Sequence, residues 1–172
     1  MILRIMGGLL ICASTTFAGY VLGARGGMRL NALLEFKKSL IILKSEMEYA
    51  INPLPTAFMH IAEKMGKILR GFYNGLAKET ENTAIESAWE QGIKSLENNP
   101  ESAFAREDLE AFISLGAVLG MMDYQAQSAS IDMAITYIDE KTEFLNMENL
   151  RTQKMFRGLG ILCGLLITVI LI

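Results

Sequence analysis

An all-α fold, an antiparallel helical bundle flanked by two terminal transmembrane helices, is what the sequence predicts, and three observations carry it. Apolar residues in the middle of the chain recur at steps of three and four, the spacing that keeps one helical face toward a partner. Only 3 prolines interrupt the 172 residues, and no long Val/Ile/Thr alternation marks a strand. Both ends are apolar and uncharged. A mean hydropathy of +0.29 with 20% charged residues is too oily for a disordered tail and too charged for a chain lying wholly in membrane.

Residues 5–23 form a run of 19 without a formal charge, about 28 Å as helix and close to the hydrocarbon thickness of a bilayer. A cleaved signal peptide is the alternative, since Arg4 precedes the run and Thr16-Phe17-Ala18 is a tolerable small-x-small site. At the other end, residues 158–172 are uncharged to the carboxyl terminus. A span of about 27 Å starts at Met155 if Arg157 snorkels to the interface. The expected organisation is an amino-terminal anchor over 1–24, a soluble helical bundle over 25–154 and a second membrane helix over 155–172. Arg25, Arg29, Lys37 and Lys38 follow the first span, and Arg151, Lys154 and Arg157 precede or enter the second. The positive-inside rule then puts the middle in the cytoplasm and both termini across the membrane. Cys12 and Cys163 fall within separate spans and read as small apolar packing residues. Gly19 and Gly23 in the first span, and Gly160 and Gly164 in the second, have the small-x-x-x-small spacing that lets membrane helices approach closely.

The first soluble helix carries Leu33, Phe36, Leu40, Leu43, Met47 and Ala50 as one stripe, with Leu30, Leu34 and Ile41 expected to widen it so that two sides are buried. Asn52 reads as the cap of the next helix, with Pro53 and Pro55 in its first turn. That helix is expected to carry Leu54, Phe58, Ile61, Met65, Ile68 and Phe72 until Gly71, Asn74 and Gly75 break it. So short a junction makes the two an antiparallel hairpin. A third helix over about 82–96 holds Ile85, Ala88, Trp89, Ile93 and Leu96, and Asn98-Asn99-Pro100 stops it. A fourth carries Phe104, Leu109, Phe112, Ile113 and Leu115 up to Gly116 and Gly120. Asp123 then reads as the cap of a long last helix with Ile131, Ile135, Ile138 and Leu145, free of glycine and proline before Gly158 and able to continue into the second span.

The net charge of -3 conceals a division. Residues 79–148 hold 15 acidic and 3 basic side chains, a balance of -12, against +6 over 1–78 and +3 over 149–172. One reading is an ordinary solvated surface. The other sets the basic ends near anionic headgroups and turns the acidic part, with Glu107, Asp108 and Glu110 as candidate contacts, toward a basic protein partner. No global basic bias points to nucleic acid. A catalytic site is not evident: His60, the one histidine, reads as a packing residue beside Ile61, no G-x-S-x-G surrounds a serine, and no P-loop is present. No cofactor or metal is expected from so few soft ligands.

The order of features, from the amino-terminal run through Leu33-Leu34-Glu35, Glu46-Met47-Glu48-Tyr49 and Pro53-Leu54-Pro55, resembles the stage III sporulation protein AB family. So do Leu115-Gly116-Ala-Val-Leu119-Gly120-Met-Met-Asp123-Tyr-Gln-Ala-Gln127 and the closing Lys154-Met155-Phe-Arg157-Gly-Leu-Gly160. The resemblance spans essentially the whole chain, and its most specific piece is the L-G-x-x-L-G-x-x-D pattern of Leu115, Gly116, Leu119, Gly120 and Asp123 with Gln127 behind it. Met122 stands where the family has a small residue before the aspartate. The resemblance implies a sporulating bacterium and a secretion-like complex in the mother-cell membrane facing the forespore. It also implies a six-helix cytoplasmic bundle like that of the inner-membrane platform protein of type II secretion and type IV pilus systems. The expected role is a non-enzymatic platform coupling a cytosolic ATPase, the AA protein of the same complex, to membrane subunits. Expected partners are those subunits and membrane lipids, with self-association left open and no nucleic acid. A signalling anchor that recruits a cytosolic regulator, or a helical membrane enzyme using acids such as Glu107 or Asp123, are the competing functions.

Overall fold

The computed structural model describes residues 27–50, 52–121 and 123–171, with side chains over 27–49, 52–121 and 123–148. Every regular element among them is helical. Helix α1 covers 27–45 and continues into a π turn, Glu46–Ala50; α2 is Leu54–Lys64, α3 Lys67–Glu79, α4 Ile85–Glu97, α5 Arg106–Leu119 and α6 Tyr124–Leu171. The chain divides into two compact units, Asn31–Thr142 and a second formed from Met1–Leu30 with Glu143–Ile172.

No helix among the described residues is long and apolar enough to cross a membrane. The run at 5–23, with Cys12, Gly19 and Gly23, lies outside the described residues, as do the side chains of 155–172 around Gly160, Cys163 and Gly164. The backbone of α6 nevertheless stays helical to Leu171, which agrees with a stretch free of proline.

In the Asn31–Thr142 unit, Leu33, Phe36, Leu40 and Leu43 of α1 are fully buried, as the three-four spacing requires. Leu34 and Ile41 are exposed, so α1 is not buried on a second side. Its buried band is widened instead by Ser39, whose hydroxyl donates to the Phe36 carbonyl at 2.6 Å and lies 2.7 Å from the Tyr73 hydroxyl. With the serine proton committed to Phe36, the Tyr73 O–H donates to Ser39 Oγ, and burial pushes the Tyr73 hydroxyl well above its ordinary pKa. Around Phe36 gather Phe112, stacked at 4.2 Å, Phe104 edge-on at 5.8 Å, Phe72 at 6.3 Å and Trp89 at 6.4 Å. Aromatic contacts of this kind add to the area they bury. Along α6, Ile131 and Ile138 are buried seven residues apart on the same stripe.

Helices α1 and α6 run antiparallel, because Lys37 pairs with Asp139 at 2.5 Å and Lys44 with both oxygens of Asp132 at 2.7 Å. The first and last helices of the unit are thereby tied at two points, two turns apart.

The second stripe behaves differently from its sequence reading. Instead of one helix broken at Gly71, Asn74 and Gly75, the chain breaks at Met65 and Gly66 and α3 runs through those three residues to Glu79. Two charged side chains hold the break. Glu35 of α1 accepts the Gly66 N–H, supplying a partner for the start of α3. Arg70 of α3 donates back to the Ala62 carbonyl at 3.3 Å and the Met65 carbonyl at 3.0 Å, satisfying the end of α2. The missing side chain at Gly66 gives this contact its room, since a Cβ there would stand 2.8 Å from Glu35 Oε1 and the carboxylate would have to shift. Two further expectations change. Asn52 does not cap α2, whose N-cap is Pro53 with no side-chain bond; its amide turns to Glu46. The third helix starts at Ile85, three residues later than 82, after the turn that closes α3, where Thr80 bonds the Leu76 carbonyl at 2.6 Å.

Gly66→Ala should displace the Glu35 carboxylate and lower stability by about 1 to 2 kcal/mol, since it removes a charge-assisted cap. Glu35→Gln, which still accepts a hydrogen bond, should cost less than Glu35→Ala. Urea melts of the three variants check the order.

Candidate functional site

The residues of the L-G-x-x-L-G-x-x-D pattern meet at the elbow between α5 and α6. Leu115 and Leu119 point inward and are buried. Gly116 faces α4, where a Cβ would come within 2.6 Å of Trp89 Cδ1 and 2.8 Å of its Cβ. The missing side chain lets the indole lie against the α5 backbone, and Trp89 Nε1 donates to the Phe112 carbonyl at 2.8 Å from there. Asp123 stands just before α6, and its Oδ1 accepts the Gln125 N–H at 2.9 Å, in the manner of an N-cap. Gln127 reaches back across the turn, its amide donating to the Leu119 carbonyl at 2.8 Å and the Met121 carbonyl at 2.5 Å. One side chain thus satisfies the end of α5 while another satisfies the start of α6, and the elbow angle is fixed from both sides. Gly120 closes α5, with its N–H on the Gly116 carbonyl at 3.3 Å. The roles these side chains fill here are structural: Gln127 ends α5 and Asp123 starts α6.

The acidic trio divides. Asp108 is fully buried, contrary to its reading as a surface acid. Its Oδ2 accepts the Ala105 N–H at 2.9 Å, and its Oδ1 accepts the Tyr137 hydroxyl of α6 at 3.2 Å. It therefore closes the first turn of α5, where a negative charge meets the helix dipole, and joins α5 to α6. Glu107 and Glu110 do lie on the surface. Glu107 pairs with Lys141 at 3.3 Å and Glu110 with Arg106 at 2.9 Å, both solvent-exposed contacts that contribute little to stability.

His60 is not a core packing residue. It is half exposed, and its Nδ1 lies 3.2 Å from Glu46 Oε2. The same oxygen accepts the Asn52 amide at 2.8 Å. The Asn52 hydrogen bond first, and His60 second, hold the Glu46 carboxyl below its ordinary value of 4.5. The cluster sits on the π turn that ends α1 and fastens it to α2. No sequence motif announces it, because the three residues belong to two helices and their junction.

A second feature without a sequence signal is a groove of about 660 Å³ between α3 and α4, closed at one end by the 98–101 turn. No group of three or more His, Cys, Asp or Glu side chains able to hold a metal occurs among the described residues.

With this geometry in view, comparison with known proteins gives a consistent result. The family model described as stage III sporulation protein AB (spore_III_AB) matches residues 4–172. The stage III sporulation protein AB of Bacillus subtilis (strain 168) is 23% identical over 171 residues, which takes in 98% of this chain and 99% of that protein. A solved structure described as stage III sporulation protein AB (SpoIIIAB) has the same fold, with a TM-score of 0.65 at 20% identity over 72% of this chain and 97% of that one.

Two outcomes follow from the site. Gly116→Ala should destabilise by about 1 to 3 kcal/mol in thermal melts despite the better helix propensity of alanine, because the hydrogen-bonded indole cannot retreat. Glu46, whose carboxyl titrates lower when folded than when unfolded, stabilises fully above its ordinary value of 4.5 and loses that contribution as pH falls through the lowered value. Urea melts between about pH 3 and about pH 7 should show this acid limb reduced in Glu46→Gln.

Proposed function

The chain belongs to the stage III sporulation protein AB family, and from that premise we propose that it is a non-catalytic platform subunit of the stage III sporulation complex. Family membership supports a role in that complex. The finer reading is a two-pass protein of the mother-cell membrane facing the forespore. It has anchors over 1–24 and 155–172, and the bundle over 25–154 lies in the cytoplasm, where it couples the cytosolic AA ATPase to membrane subunits.

One observation carries this reading: the family match runs from residue 4 to residue 172 and so takes in both uncharged ends together with the bundle. Arginines and lysines flank those ends on the bundle side, as cytoplasmic loops do. The bundle offers the ATPase a surface whose shape is set internally, by the elbow and by the α1–α6 ion pairs. On that surface Glu107 and Glu110 stand where a basic patch could steer onto them, each exchanging a weak intrachain pair for an intermolecular one.

The full-length chain should remain with membranes after an alkaline wash, and protease should cut its middle only from the cytoplasmic side. Glu107→Lys with Glu110→Lys should weaken capture of the ATPase subunit, and capture by the parent chain should itself weaken as salt rises, because the screening length, about 8 Å at 0.15 M, shortens further with added salt. Circular dichroism should be unchanged. Recovery of the chain in the soluble fraction would overturn the anchors, and ATPase capture indifferent to both charge and salt would move the contact elsewhere.

A further inference from the structure

The groove between α3 and α4 follows α3 for its whole length. Lys67, Gly71, Gly75 and Glu79 line it at steps of four, about 18 Å from end to end, over a floor that includes Phe72 and Leu76. A Cβ added at Gly71 or Gly75 would meet nothing within 4 Å. A Cβ at Gly116 or Gly66 would press on a contact inside the fold, whereas these two glycines weaken a helix without making room for any contact of the single chain.

The outer face of α1 has the opposite relief. Leu34 and Ile41 remain 46% and 49% exposed, with Lys38 between them and Ser45 and Glu48 continuing the stripe at steps of four and three. Lys37 and Lys44 on the same helix have their aspartates. The Lys38 ammonium has no ionic or hydrogen-bonding partner among the described residues, and neither has the Glu79 carboxylate at the end of the groove.

We propose that the α3–α4 groove of one copy receives the outer face of α1 from a second copy. Laid antiparallel to α3, the α1 face matches it in order: Lys38 on Glu79, Ile41 on Gly75, Ser45 on Gly71 and Glu48 on Lys67. The charged ends are at most about 15 Å apart along α1 and the start of its π turn and about 18 Å apart on α3, a difference that long side chains absorb. Ile41 is the knob and Gly75 the hole. Lys67 gives up only its exposed pair with Glu101, held at 2.8 Å in the single chain. Because the two surfaces are different, the contact is head-to-tail, and each added copy leaves one groove and one α1 face open. This interface is independent of the ATPase reading, which uses α5.

The test uses the full chain in lipid vesicles with Cys12→Ser and Cys163→Ser as background. One pool carries Ile41→Cys, the other Gly75→Cys, and mild oxidation should give cross-linked dimers only when the pools are mixed. Lys38→Glu or Glu79→Lys alone should weaken self-association about tenfold, and the two together should restore it to within about threefold of the parent. Gly75→Leu should abolish association while leaving the helical circular dichroism intact. If that variant misfolds, the charge exchange still decides. Absence of a mixed cross-link in folded protein, an Ile41→Cys pool that cross-links with itself equally well, or a double charge variant no better than the single ones would overturn the proposal.

Discussion

Trp89 can lie against the backbone of α5 only because position 116 has no side chain, and much of the unit is arranged around that contact. The indole is fully buried, its N–H is spent on the Phe112 carbonyl, and Phe72 meets it edge-on at 5.3 Å. Those bonds fix the spacing of α4 and α5, and Phe112 on the same stretch of α5 stacks on Phe36 of α1. A change at Gly116 would therefore be felt on four helices, α1, α3, α4 and α5. This explains in physical terms why a glycine stands in the middle of a buried helix, a position where it costs backbone entropy.

Among the described residues, several polar side chains finish helices. Glu35 and Arg70 serve the two sides of the α2–α3 break, Asp108 the start of α5, Gln127 its end, and Asp123 the start of α6. Several of them come from another helix, so the same bond that satisfies a terminus also fixes one element against the next. The exposed pairs of Glu107 with Lys141 and of Glu110 with Arg106 have little structural duty beside these.

What could be read from the sequence was periodic and local. The stripe from Leu33 to Leu43, the stop at Asn98-Asn99-Pro100 and the uninterrupted last helix all follow from spacing and from turn residues. The break at Gly66 was hidden because Ile61, Met65, Ile68 and Phe72 stay in step across it, and its causes lie at Glu35, 31 residues away, and at Arg70. Gly71 and Gly75 misled in the other direction, since a helix tolerates glycine where its face is open. Asp108 looked like its exposed neighbours because burial of a carboxylate depends on a partner, Tyr137, that sequence does not place beside it. The elbow motif was visible as a pattern, but its meaning was not: only the coordinates show that its glycine makes room for a tryptophan and its glutamine ends a helix.

The bonds between α1 and α6 join residues 102 and 88 positions apart, and that separation bears on how the chain is made. A ribosome adding about 5 to 20 residues per second needs several seconds to bring Asp139 out after Lys37. During that interval Leu33, Phe36 and Leu40 have left the exit tunnel without the last helix that completes their unit. The nascent chain is thus stickiest early and is sealed late, so its vulnerability to misassociation lies in the order of synthesis more than in the finished protein.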